Sequence, residues 1–215
     1  FIPTPYWFNH YQPDHIIKNP GDTWSIGYNY NSAVGQGFDL TTPLQMVNVT
    51  STIANGGTLY QPRIVKKIFG RVVPRRGVLA QPKVIQPFIP TVIRSNFIDP
   101  ANLQLIQQGM HQSVTPLPLG TSWNVVDKRI NAAGKTGTAE DNPRPADAWW
   151  VGYAPYQNPQ VAVVVMVPNA GGEGAYVAAP IAHKVLEDYF HLPTLRGSWL
   201  DNTQFCTCLA YGGTQ

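Results

Sequence analysis

Apolar residues return at helical spacing in three stretches of the chain and run almost unbroken in a fourth. The first stretch carries Leu44, Val47, Ser51 and Ala54, with Met46, Val49 and Ile53 alongside, and predicts a core helix. Thr42 suits its N-cap and Pro43 its first helical position, and Asn55-Gly56-Gly57 ends it. Asp99-Pro100 opens a second helix in the same way, with Leu103, Ile106, Met110 and Val114 on its buried face. A third helix is predicted over 177–190, where Ile181, Val185, Leu186 and Tyr189 would face inward and pack on a sheet.

Strands are predicted over 130–140, 146–156 and 160–167, the last two joined by a turn at Tyr156-Gln157-Asn158-Pro159. Val161, Val163, Val164, Val165 and Val167 form the unbroken run, as in a strand covered on both faces. Residues 58–95 alternate weakly and are interrupted by prolines, which predicts short strands and an excursion with turns at Pro74, Gly77 and Pro82. Residues 1–34 show little periodicity and predict loop and short turns, Asn19-Pro20-Gly21-Asp22 among them. The order of elements gives an α+β fold, an antiparallel sheet flanked by helices, over residues 1–190. Residues 191–215 read as a tail punctuated by Pro and Gly.

The totals narrow this picture. At 215 residues, with 43% hydrophobic and 11% aromatic residues, the chain has the means for one packed domain. Charged residues make up only 13%, against roughly 25% in typical soluble domains, which points to large neutral contact surfaces. The net charge of +3 comes with no basic run of the kind used on nucleic acid, and Arg71, Arg75 and Arg76 read as a solvated turn. No apolar run approaches the roughly 18 residues that a membrane helix needs. The chain starts at Phe1-Ile2-Pro3 without an initiator methionine and is expected to be a piece of a longer protein. Cys206 and Cys208 are too close for a favourable disulfide and too few for zinc.

Candidate chemistry concentrates in Ala132-Ala133-Gly134-Lys135-Thr136-Gly137-Thr138-Ala139-Glu140. On a strand, Thr136 and Thr138 share one face while Lys135 and Gly137 take the other. Gly137 lets another backbone or a ligand come close. A fixed cation beside hydroxyls and open N–H groups suits an anionic or carbonyl-bearing ligand. A phosphate-binding P-loop is disfavoured, because Arg129 stands where its first glycine belongs and a strand is predicted to follow instead of a helix. None of His10, His15, His111, His183 and His191 shares a metal-ligand spacing with a second histidine or cysteine. Asp14-His15 reads as a loop pair, and no Gly-x-Ser-x-Gly elbow occurs. The adjacent Glu140-Asp141 do not make a glycosidase pair.

Lys135-Thr136-Gly137-Thr138-Ala139-Glu140, followed by Trp150-Val151-Gly152-Tyr153-Ala154-Pro155, resembles the transpeptidase domain of class B penicillin-binding proteins. The order Gly35-Gln36-Gly37, Thr42-Pro43-Leu44-Gln45, Ala54-Asn55-Gly56-Gly57 and Pro62-Arg63-Ile64-Val65 is similar to that family too, as is Ala178-Ala179-Pro180-Ile181-Ala182. The resemblance implies a partial penicillin-binding, β-lactamase-like fold and a serine acyl-enzyme that cross-links peptidoglycan stem peptides and is trapped by β-lactams. It implies that Lys135 supports the catalytic hydrogen-bond network and supplies positive potential. Thr136 and Thr138 would bind the substrate carboxylate, Gly137 would keep the strand low, and the Thr138 N–H would serve the oxyanion hole. No cofactor or metal is implied. The expected location is the outer face of the bacterial cytoplasmic membrane, with an anchor upstream of this chain.

One part of the family pattern is missing. The nucleophilic serine should have a lysine three residues later. Ser25, Ser32, Ser51, Ser95, Ser113, Ser122 and Ser198 are followed there by Tyr28, Gly35, Ala54, Ile98, Pro116, Val125 and Asp201. Ser122-Trp123-Asn124 matches the family's S-x-N string but sits in the wrong order relative to Gly35-Gln36-Gly37, and is taken as coincidence. The expectation is therefore the C-terminal part of a transpeptidase domain, inactive without its N-terminal half, with self-association or domain swapping through uncovered surface. The rivals are a non-catalytic module of the same fold that binds a cell-wall peptide or protein, and a β-lactamase or sensor relative.

Overall fold

The computed structural model describes residues 4–11, 23–70, 83–115, 120–122, 127, 129–141 and 143–193. The Asn19–Asp22 turn, Asp14-His15, the arginines at 71, 75 and 76, the turn residues Pro74, Gly77 and Pro82, and Cys206 and Cys208 lie outside the described residues. In chain order the elements are helices α1 (Pro5–Tyr11), α2 (Ile26–Ala33) and α3 (Pro43–Ala54), and strands β1 (Leu59–Tyr60), β2 (Lys67–Phe69), β3 (Val84–Pro87) and β4 (Val92–Arg94). Helix α4 (Pro100–Ser113), strands β5 (Ala133–Asp141), β6 (Arg144–Ala154) and β7 (Val161–Val167), and helix α5 (Ala178–Tyr189) complete the order.

Local chemistry sets the starts of α3 and α4. The Thr42 hydroxyl accepts the Gln45 N–H at 3.2 Å, and the Gln45 carboxamide oxygen accepts the Thr42 N–H at 2.8 Å. That reciprocal pair satisfies amides which the first turn would otherwise leave open. Asp99 caps α4 by accepting the Ala101 N–H at 2.8 Å and the Asn102 N–H at 3.3 Å. After α3, Gly56 and Gly57 take positive φ, as expected at a helix end.

Within the first 34 residues, read as loop and short turns, the described parts hold two short helices, α1 and α2. Phe8 is fully buried, and its ring centre lies 4.8 Å from that of Tyr28, 5.2 Å from Phe38 and 5.6 Å from Trp24. Aromatic contacts across the chain hold these helices, so no periodic stripe announces them.

The molecule's main sheet has the order β5-β6-β7 and is antiparallel throughout. Its register places Thr136 opposite Trp150 and Trp150 opposite Val165, so these side chains share one face. That face packs on α5, with Trp150, Ala154 and Val163 against Ala178, Ala182 and Leu186. The other face buries Ala133 and Tyr153 against Met110 of α4, with Ile53 and Ala54 of α3 alongside. The valine run of β7 is thus covered on both faces, as its composition predicted. Trp150 lies in a slot made by two glycines: a Cβ on Gly134 would come within 2.4 Å of its ring, and one on Gly152 within 2.3 Å.

Three helix faces differ from the apolar pattern. In α5, Ile181, Val185 and Tyr189 are exposed, and the buried stripe is Ala179, Ala182, His183, Leu186 and Glu187. Small residues and an internally paired acid and histidine, described below, take the inward side. In α4 Ile106 is exposed while Leu103, Met110 and Val114 are buried. In α3 Leu44 and Val49 are exposed, and Thr50 and Thr52 are buried with their hydroxyls donating to the Met46 and Asn48 carbonyls. That back-bonding hides a polar group inside the helix's own turn. Among the described residues, no helix is long and apolar enough to cross a membrane.

Candidate functional site

β5 forms one edge of the main sheet, and its outer side is the site's floor. Residues along an antiparallel edge strand alternate between pairing inward and pointing their N–H and C=O outward. Thr136, Thr138 and Glu140 are the outward set, because the outward contacts fall on the Thr136 carbonyl, the Thr138 carbonyl and the Glu140 N–H. The Thr138 N–H, in the position assigned to the oxyanion hole, therefore points off the same edge.

The hydroxyls of Thr136 and Thr138 line a cavity of about 360 Å³, together with Thr121, Glu173, Gly174 and Tyr176. Thr136 Oγ1 donates to Thr121 Oγ1 at 3.1 Å, and Thr121 Oγ1 lies 3.1 Å from Ser113 Oγ. The hydroxyl chain runs from the strand to the end of α4. Lys135 is exposed on the opposite face from the threonines, and its Nζ donates to the Thr136 carbonyl at 2.8 Å. Its charge therefore sits on the strand edge next to the threonines. The structure brings Thr136 and Thr138 to the cavity, whereas Gly137 and Lys135 lie on the strand's other face, Lys135 reaching back to the edge through its ammonium.

The backbone of Gly137 also seats a loop. The loop between β7 and α5 crosses the threonine face, and a Cβ on Gly174 would lie 2.4 Å from the Gly137 oxygen and 2.2 Å from the Trp149 oxygen. The Gly174 N–H donates to Thr138 Oγ1 at 3.4 Å. The loop that carries Gly171, Gly172 and Gly174 is seated on the strand at Gly174. It carries Glu173 and Tyr176 to the cavity wall.

Sequence reasoning missed three groups here: Thr121 and Glu173 carry no motif, and Gln36, whose carboxamide makes the contacts on the Thr138 carbonyl and the Glu140 N–H, stands out only as part of the Gly35-Gln36-Gly37 order. Ser122, next to Thr121, is fully buried and its hydroxyl has no partner among the described residues. Trp123 and Asn124 lie outside them.

A second polar cluster braces the sheet from behind. Glu187 is 1% exposed and His183 is 6% exposed. His183 Nδ1 accepts the Asp127 N–H at 3.0 Å, which leaves its Nε2 hydrogen for Glu187 Oε1 at 3.4 Å. Arg129 donates to the same Glu187 oxygen at 3.2 Å, through both terminal nitrogens to the Pro193 carbonyl at 3.2 Å, and to Asp127, while Lys184 reaches Glu187 at 3.5 Å. Burial pushes the Asp127 carboxyl up, but hydrogen bonds from the Arg129 side chain and backbone, with its charge, outweigh this and hold it below its ordinary value. Asp127, His183 and Glu187 place ligand atoms within 4.8 Å of one another. Two cations already share Glu187, however, so the set suits an ion-pair brace better than a metal ion.

Comparison with known proteins gives a consistent result. A family model for the penicillin-binding protein transpeptidase domain matches residues 8–187. The chain is 31% identical over 209 residues to the peptidoglycan D,D-transpeptidase MrdA of Haemophilus influenzae, covering 88% of this chain and 29% of that protein. It is 33% identical over 184 residues to penicillin-binding protein 2B of Streptococcus pneumoniae, covering 82% of this chain and 26% of that one. Among solved structures, penicillin-binding protein 2B from Streptococcus pneumoniae superposes with a TM-score of 0.65 at 30% identity, over 80% of this chain and 28% of that one. The imipenem acyl-enzyme complex of penicillin-binding protein A from M. tuberculosis superposes with a TM-score of 0.59 at 30% identity, over 74% of this chain and 33% of that one. The chain thus spans under a third of the length of these curated relatives.

Proposed function

The chain belongs to the penicillin-binding protein transpeptidase domain family, and on that footing we propose that it supplies the Lys-Thr-Gly side of a D,D-transpeptidase site. The observation that carries this reading is the outward edge of β5, where Thr136 and Thr138 line one cavity, the Thr138 N–H points off the edge and the Lys135 ammonium lies on the Thr136 carbonyl beside them. An extended peptide can add to such an edge through main-chain hydrogen bonds. Its terminal carboxylate would lie against the Thr136 and Thr138 hydroxyls, within the positive potential of Lys135. Its scissile carbonyl oxygen would accept from the Thr138 N–H. Losing an oxyanion donor of this kind typically removes about 2.7–4 kcal/mol of transition-state stabilisation.

The reaction runs in two halves. A serine oxygen attacks the penultimate D-Ala carbonyl of a stem peptide, and the terminal D-Ala leaves with the proton on its nitrogen. The amine of a second stem peptide then attacks the ester, forms the new amide and returns the proton to the serine. A β-lactam enters as the first substrate and stays as the ester. No serine of this chain stands in the Ser-x-x-Lys setting, so the nucleophile comes from an N-terminal half of the domain, in the same or another molecule. The site works on the outer face of the bacterial cytoplasmic membrane, where stem peptides are found.

Intact-mass measurement after incubation with a penicillin tests this. The chain alone is expected to gain no adduct, and the adduct is expected on the N-terminal half when both are mixed. An adduct on this chain alone would make one of its own serines the nucleophile and overturn the division of labour.

A further inference from the structure

We propose that Gln36 sets the register of the β5 edge, ending at Thr138 the ladder that a bound peptide can build; this rests on the peptide-binding role assigned to that edge above. Gln36 stands between two glycines in left-handed backbone, Gly35 at φ 77° and Gly37 at φ 79°. Other residues adopt that conformation only with strain, and the turn delivers the carboxamide onto a strand far downstream in sequence. Its Nε2 donates to the Thr138 carbonyl at 3.0 Å, and its Oε1 accepts the Glu140 N–H at 3.2 Å. A carbonyl at one residue and an N–H two residues on are what a single residue of a parallel neighbour strand engages. The carboxamide therefore stands in for one residue of added strand, opposite Ala139.

The edge is divided by this contact. Towards Lys135, the Thr136 and Thr138 N–H groups face outward beside the cavity. From the Thr138 carbonyl to the Glu140 N–H, the ladder positions are filled by Gln36. A ligand whose anionic end is drawn to Lys135 and the threonine hydroxyls must run its chain towards Glu140. It meets Gln36 as its length grows. The ligand class is thus an extended peptide with a free carboxylate terminus, read at its last residues only, and longer chains gain no further pairing along the strand.

Backbone amide NMR on the 215-residue chain tests this, with acetyl-D-Ala-D-Ala and the same dipeptide lengthened by one and by two residues at its N-terminus. In the wild type all three peptides are expected to shift the Thr136 and Thr138 amides and to leave Glu140 unmoved. In Gln36→Ala the Glu140 amide should exchange about fivefold faster without peptide. The longer peptides should then shift it and bind roughly fivefold more tightly than acetyl-D-Ala-D-Ala. Gln36→Glu keeps the size and the acceptor but loses the donor, so it should weaken the hold on Thr138 while Glu140 stays protected. If the longer peptides already shift Glu140 in the wild type, or if Glu140 exchange is unchanged in Gln36→Ala, Gln36 sets no register, even where Thr136 and Thr138 respond. If Thr136 and Thr138 respond to no peptide in any of the proteins, the peptide-binding role itself fails and the register role falls with it.

Discussion

Gly174 has room for a hydrogen and for nothing larger. Its missing Cβ would meet two backbone oxygens, of Trp149 at 2.2 Å and Gly137 at 2.4 Å, neither of which can turn aside as a side chain would. Gly174→Ala should therefore lift the loop off the strand and cost roughly 1–3 kcal/mol in urea unfolding. Gly109, inside α4 with nothing within 4 Å of its absent Cβ, is the control: Gly109→Ala should stabilise by about 0.4–1 kcal/mol through the unfolded chain. Equal stability of Gly174→Ala and wild type would show that the loop is not seated there. Tyr153 gives a second residue-level test. Burial, with Tyr156 adding to it, pushes its phenol up to about 12. An unfolded tyrosine loses its proton near pH 10, as tyrosines ordinarily do, so between there and about 12 the unfolded state binds fewer protons than the folded one. Stability is then full below the unfolded value and falls as pH rises through the folded one. Denaturation followed across that window should show the decline, and Tyr153→Phe should reduce it.

α5 shows how an element can hide its inward face. Its starting point and length were legible, because Ala178-Ala179-Pro180 and the spacing of apolar residues are local signals. Its orientation was not, because Ile181 and Val185 are more apolar than Ala182, His183 and Glu187 yet lie outside, as Tyr189 does. What reverses the pattern is long-range: Arg129 and the Asp127 N–H arrive from the loop before β5 and satisfy the buried pair. The same limit applied to the site. Lys135, Thr136, Gly137 and Thr138 form one local string, whereas Thr121 and Gln36 reach it only through the fold. Glu187→Gln keeps the shape but removes the charge that Arg129 and Lys184 share, and should cost roughly 1–3 kcal/mol. Arg129→Ala should cost more, since it leaves the buried carboxylate with fewer donors. Because Asp127 titrates below its ordinary value, its share of stability is present above that ordinary value and is lost as pH falls through the folded one. Unfolding curves on the acid side should show this slope, and Arg129→Ala should flatten it.

At the scale of the whole molecule, the main sheet is closed by helices on its faces and open along its strands. β5 offers one edge to the proposed ligand. Among the described residues, no strand pairs with the outer edge of β7. Its register sets Val163, Val165 and Val167 towards β6, so the N–H and C=O groups of Ala162, Val164 and Met166 point outward. A row of open groups beside apolar surface invites another strand, and Leu40, Leu44 and Val49 are exposed nearby in the chain around α3, which packs against β7. We therefore expect the chain by itself to associate, with light scattering across a dilution series reading a mass that rises with concentration. Val164→Pro removes one outward N–H without taking a bond from the β6–β7 ladder, as proline is tolerated on an edge. It should lower the associated fraction while leaving far-ultraviolet dichroism unchanged. Association that persists undiminished in Val164→Pro would place the contact elsewhere, with the exposed apolar side chains of β2 and β3, Ile68, Phe69 and Ile85, next in line. Adding the N-terminal half of the domain should compete with self-association if the two use the same edge. An unchanged mass distribution on that addition would separate the open strand from the catalytic partnership proposed above.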